Sequence, residues 1–282
     1  MTTLTAPARN AEPRPRFFDL CAAEWIKVRS LRSTSWVLTL SVLGVIAINV
    51  NAVHSDFPYI DGPHPRMPGW PPYHYDALFH GLGMIPADLF MITTGSIGAI
   101  TLFGEYASGM IRTTFAAVPD RRSVVAAKVT VVTALMLVAG TIASTGSFFL
   151  TNAMLASRHV GLSISDPGCL GAVAAYALIA PVSALVGIGL GAAIRHATAT
   201  IVALVGTLLL VPLLFQGDRF RWVKEIGNAL PKSALERLTY NPDSNSVLGK
   251  YPPSITESWI VFGGWSLVAV IVAIAVVNRR DV

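Results

Sequence analysis

Six long apolar stretches dominate this chain: residues 35–53, 84–103, 129–155, 169–194, 198–215 and 259–277. Each is close to the ~20 residues that an α-helix needs to cross ~30 Å of hydrocarbon. Lipid offers the backbone no hydrogen bonds, so a spanning segment must satisfy its amides internally, as a helix or a closed barrel does. The stretches lack the period-two alternation of barrel strands. The sequence therefore predicts an all-α polytopic membrane protein with six transmembrane helices. Composition agrees, because 53% hydrophobic and 13% charged residues leave too little polar surface for a soluble chain of 282 residues.

Val50 and Ala52 are small enough to mimic a cleavage site after the first stretch. Residues 1–34 precede that stretch, however, and it exceeds the ~7–15 apolar residues of a signal peptide, so an uncleaved first helix is expected. Arg9, Arg14, Arg16, Lys27, Arg29 and Arg32 lie before it, and only Arg66 lies in the loop after it. The positive-inside rule then places the N terminus in the cytoplasm, and six spans return the C terminus to the same side. In that topology Cys21 and Cys169 fall on opposite sides, so no disulfide is expected. The pI near 9.4 follows from cationic helix ends, which insertion and anionic headgroups already require, so no nucleic-acid partner is expected.

Three regions follow from the pattern. Residues 1–16, rich in Pro, Ala, Thr and Arg, read as a disordered cytoplasmic tail. Residues 17–34 read as an interfacial amphipathic helix: Phe17, Leu20, Cys21, Trp25, Val28 and Leu31 recur at helical spacing, and Trp25 suits headgroup depth in the lipid bilayer. Residues 35–282 form the six-helix domain, with a cytoplasmic segment 104–128 and an outer loop 216–258. Within that loop, Trp222, Val223, Ile226 and Leu230, then Ala234, Leu235 and Leu238, predict two short amphipathic helices broken at Pro231.

Catalytic signatures are sparse. Lys250 follows Gly249 but precedes Tyr251, so the P-loop pattern GxxxxGK[ST] is not met, and the chain is not expected to be an enzyme or to hold a cofactor. Gly187 and Gly191, four apart in an apolar helix, read as a close-packing motif. His54, His64, His74 and His80 share the first outer loop with many prolines, without the tight spacing of a metal pair, so no metal site is expected. Asp88 is the one acid inside a span. It suits either a helix start, following Pro86, or a substrate pathway.

The segment GEYASGMIRTTFAAVPDRRSVVAAK, residues 104–128, is the least expected part of so apolar a chain. Ala107, Met110, Ile111, Thr114, Phe115 and Val118 line one side of a helix that Pro119-Asp120 ends, while Arg121, Arg122 and Lys128 mark the start of the next span. Glu105 and Arg112 are seven apart and share a face if one helix runs through Gly104 and Gly109.

Four features in order, AEWIKVRSLRSTSW, FGEYASGMIRTTFAAVPDRRSVVAAK, ALPKSALERL and NRRDV, resemble the ABC-2 family of ABC-transporter permeases. The resemblance implies a coupling region at Glu105, Gly109, Ile111, Arg112, Thr113, Phe115 and Pro119 that docks on an ATPase subunit. It also implies that Glu24, Trp25, Lys27, Arg29 and Arg32 belong to the interfacial helix. It further implies an exporter of a bacterial inner membrane, with a second permease subunit, identical or not, and with ATP and Mg held by the partner ATPase. An ion-driven secondary transporter, at which only Asp88 and Pro181 hint, and a non-transporting membrane anchor or sensor are the alternative expectations.

Overall fold

The computed structural model describes residues 15–62, 75–217, 219–241 and 249–279. Most of the expected tail, the loop around His64 and His74, and the terminal Arg280, Asp281 and Val282 lie outside the described residues. Every regular element among the described residues is helical, and six helices are long and apolar enough to cross a membrane.

In chain order these are α1 (Phe17–Ser30), α2 (Arg32–Ser55), α3 (Phe57–Asp61), α4 (Ala77–Gly81), α5 (Met84–Ala107), α6 (Met110–Ala117) and α7 (Arg121–Ala156). There follow α8 (Cys169–Ile194), α9 (Ala197–Val205), α10 (Val211–Leu214), α11 (Arg221–Asn228), α12 (Pro231–Leu238) and α13 (Ile255–Arg279). A π-helical turn, Gly206–Leu210, joins α9 to α10 in the fifth span. The expected pair of short helices in the 216–258 loop is present as α11 and α12, with Pro231 in the first turn of the second, where its missing amide costs nothing.

Helix ends differ from the hydropathy bounds. Helix α1 stops at Ser30, and the first span starts at Arg32 rather than 35. The third span starts at Arg121 rather than 129, because Asp120 caps it by accepting from the amides of Arg122 and Ser123. Hydropathy stops at a charged residue, whereas a helix continues until its backbone is capped or broken.

Helix α8 is the central post, packed against α5, α7 and α13. Its approach to α5 is set by glycine. A Cβ at Gly187 would lie 1.9 Å from the Gly95 carbonyl oxygen, and one at Gly98 would lie 2.0 Å from that of Ala184. The Gly187/Gly191 motif therefore does serve close packing. A buried polar network crosses the same core. The Asn49 side-chain amide donates to Ser147 at 3.0 Å, Gly83 N donates to Asn49 at 3.0 Å, and the Tyr176 hydroxyl donates to the Gly83 carbonyl at 3.2 Å. No sequence signal singled out this network, since Asn49, Ser147 and Tyr176 are ordinary helix residues and Gly83 an ordinary N-cap.

Candidate functional site

Helix α1, the C-terminal ends of α5, α8 and α13, the N-terminal end of α7 and the short α6 meet at one end of the bundle, the base. Contacts across it are specific: Arg121 Nη1 donates to the Val277 carbonyl at 3.4 Å, and the Arg195 guanidinium lies 4.2 Å from the centre of the Tyr106 ring.

Four charges interlock there. Lys128 Nζ is 2.5 Å from Glu24 Oε2 and 2.9 Å from Glu105 Oε1; Lys27 Nζ is 2.6 Å from Glu24 Oε1 and 2.8 Å from Glu105 Oε1. Glu24, Glu105 and Lys128 are each 3–4% exposed. Two lysines and two carboxylates balance, so the cluster tolerates a buried setting in which an unpaired charge would be costly. Burial acts to lower the Lys27 pKa, but hydrogen bonds to Glu105 and Glu24 outweigh it and hold the ammonium above its ordinary value. The cluster pins α1 to both α5 and α7, three elements that chain connectivity alone would leave free to shift.

This geometry changes the reading of the interfacial helix. Its inward face carries Glu24 and part of Lys27, while Phe18, Trp25 and Ile26 are exposed, Phe18 at 82%. Arg29 and Arg32 are exposed as well. Apolar side chains outward and a charge inward reverse the pattern of a helix packed against a core in water, so the outer face of α1 is one that needs an apolar cover.

The 104–128 segment is not one helix. Helix α5 ends at Ala107, and Gly109 adopts φ 71°, ψ 0°, a left-handed conformation that glycine enters without the Cβ clash of other residues. The expected Glu105–Arg112 alignment is thereby broken. Glu105 points into the lysine cluster, and Arg112 is exposed on α6.

The α6 apolar face is turned inward at Ile111 and Phe115, though not at Met110. Ile111 is 3% exposed, Phe115 packs partly buried against the main core, and Arg121 lies 5.2 Å over the Phe115 ring. What α6 offers outward is Met110, Arg112, Thr113, Ala116 and Ala117, followed by exposed Pro119. Of the expected coupling residues, then, Gly109, Arg112, Thr113 and Pro119 lie on an exposed surface, whereas Ile111, Phe115 and Glu105 fasten the segment to the bundle.

At the opposite end, Asp88 does not cap its helix. Helix α5 starts at Met84, so Asp88 lies in its second turn, where Lys232 of α12 meets it at 2.6 Å. The helix-start reading is corrected accordingly: the charge is balanced by an ion pair between the second span and α12. Among the histidines, His80 contacts Asp56 at 2.7 Å, and Tyr75 donates to the same carboxylate at 2.9 Å. Among the described residues no three His, Cys, Asp or Glu gather as a metal site.

Against known proteins, no family model matches the chain, and no curated protein sequence matches it.

Proposed function

We propose that this chain is the membrane-spanning permease subunit of an ATP-binding-cassette exporter, moving a substrate across the membrane by alternating access driven by a separate ATPase subunit. The observation that carries this reading is the construction of α6. It is a short helix isolated by Gly109 on one side and Pro119 on the other, exposed along Arg112, Thr113, Ala116 and Ala117, and anchored by Ile111 and Phe115. The Glu24–Lys27–Glu105–Lys128 cluster begins four residues before Gly109 and continues into α1 and α7. A docking element must accept a partner outside and pass displacement inward without yielding, and a balanced buried ion cluster beside it supplies that stiffness.

The resemblance to ABC-2 permeases supports the same assignment, with the base toward the cytoplasm, ATP and Mg in the partner, and a second permease subunit beside this one. Asp88 carries less weight as an ion pathway, because its carboxylate is engaged by Lys232.

The experiment reverses the exposed face of α6. Arg112→Glu with Thr113→Glu places like charge on a surface that acidic partner groups would meet, costing about 3 kcal/mol, or roughly 100-fold in affinity. The double variant should insert and purify normally but lose copurification with the ATP-hydrolysing subunit. Retained copurification with retained transport refutes the assignment.

A further inference from the structure

Beside α6, Tyr106, Ala107, Ser108, Gly109, Ile111, Arg112 and Arg195 line an open cleft of about 480 Å³. Its lining contains two guanidinium groups and no carboxylate; Glu105, the nearest acid in sequence, is engaged by the lysine cluster. Two Arg195 nitrogens, Nε and Nη2, are buried, and among the described residues the Tyr106 hydroxyl beside them is the one acceptor the chain brings near. Buried donors of this kind are among the least tolerated features of a protein unless an acceptor meets them.

Two further observations bear on what that acceptor is. Arg195 caps α8 at φ 57°, a left-handed position that glycine fills with least strain, so an arginine held there indicates a use for its side chain. The cleft also lies at the ends of two spans: Ser108 directly follows the span that ends at Ala107, and Arg195 directly follows the one that ends at Ile194. Residues at the ends of membrane-crossing helices sit at the depth of lipid phosphate. Ile100 on α5 and Val202 on α9, about two turns further into their helices, are exposed apolar side chains along which an acyl chain can run.

We propose that this cleft is a binding site for an anionic phospholipid, with Arg195 forking the phosphate, Arg112 adding charge at the rim and the Tyr106 ring beneath the Arg195 guanidinium. A planar guanidinium matches phosphate through two parallel hydrogen bonds, which an ammonium cannot do. The site requires only that the six helices cross a membrane; it shares Arg112 with the proposed docking face, and its phosphate contact is made by Arg195, which lies outside that face.

The test is native mass spectrometry of the full chain in detergent, delipidated and titrated separately with phosphatidylglycerol and phosphatidylcholine. Phosphatidylglycerol should bind at least about tenfold more tightly, a preference of ~1.4 kcal/mol. Arg195→Gln should abolish the preference, and Arg195→Lys should reduce it. Arg29→Gln, which removes an exposed charge elsewhere on the base, should preserve it. Inorganic phosphate and glycerol 1-phosphate at millimolar concentration should not compete. Equal binding of the two lipids, an unchanged preference in Arg195→Gln, or full competition by the soluble phosphates overturns the proposal; the last result would make the ligand a free anion. Loss of ATPase copurification in Arg195→Gln with unchanged lipid preference would likewise overturn it, since the cleft would then belong to a protein partner.

Discussion

Replacing Lys128 with methionine removes one charge from the buried cluster while keeping side-chain volume. Lys128 contacts Glu24 at 2.5 Å and Glu105 at 2.9 Å. Between charge centres about 4 Å apart, as in such N–O contacts, each attraction is worth ~4 kcal/mol at an effective dielectric of about 20. Against the two lost attractions stands the desolvation of Lys128, several kcal/mol, which the variant no longer incurs. The net loss, about 3–5 kcal/mol, is that expected when one member of a buried ion pair is deleted and its partner is left behind. At ~2–4 °C per kcal/mol the detergent-solubilised variant should melt about 6–20 °C below the parent, followed by tryptophan fluorescence. Adding Glu105→Gln should recover at least ~2 kcal/mol relative to the sum of the single changes, because the second substitution removes the stranded charge. A melt within about 2 °C of the parent, or strict additivity, would show that the four groups are solvated neighbours and carry no mechanical load.

Three other outcomes follow from the packing and topology. Gly187→Ala should cost about 1–3 kcal/mol, because its Cβ meets the Gly95 carbonyl at 1.9 Å, whereas Gly263→Ala, with nothing within 4 Å, should be neutral or stabilising in the same thermal assay. Asp88→Asn should destabilise by about 1–3 kcal/mol by stranding Lys232, and Asp88→Lys with Lys232→Asp should recover part of the loss. Cys169 is buried and cannot report sidedness, so a Cys-free background is needed. Exposed Gln216→Cys should then react with an impermeant maleimide in intact cells, and exposed Thr113→Cys only after permeabilisation.

The spans and the Gly187/Gly191 contact were legible in the sequence because lipid leaves few options: a run of ~20 apolar residues has one use, and small residues four apart permit one kind of contact. The 121–128 stretch was misjudged because hydropathy treats Lys128 as an edge, whereas a partner from α1 allows it inside the helix. Periodicity revealed an apolar face on α6 but could not say whether a partner or the bundle itself covers it. Ion pairs were out of reach for a different reason. Lys128 and Glu24 are 104 residues apart, and Lys232 and Asp88 are 144 apart, so no local spacing links them. One signal was available for the cluster: Glu24 shares a helical stripe with Leu20, Lys27, Val28 and Leu31, and an acid on such a stripe requires a cation opposite.

The central claim, that this chain acts through α6 on a separate ATP-hydrolysing subunit, is met most directly by placing a photo-crosslinking phenylalanine analogue at exposed Thr113 in membranes of the native host. The account predicts one dominant adduct with a polypeptide that carries a P-loop, its yield altered by ATP. Adducts with lipid or with this chain alone, in membranes where the protein is active, would contradict it.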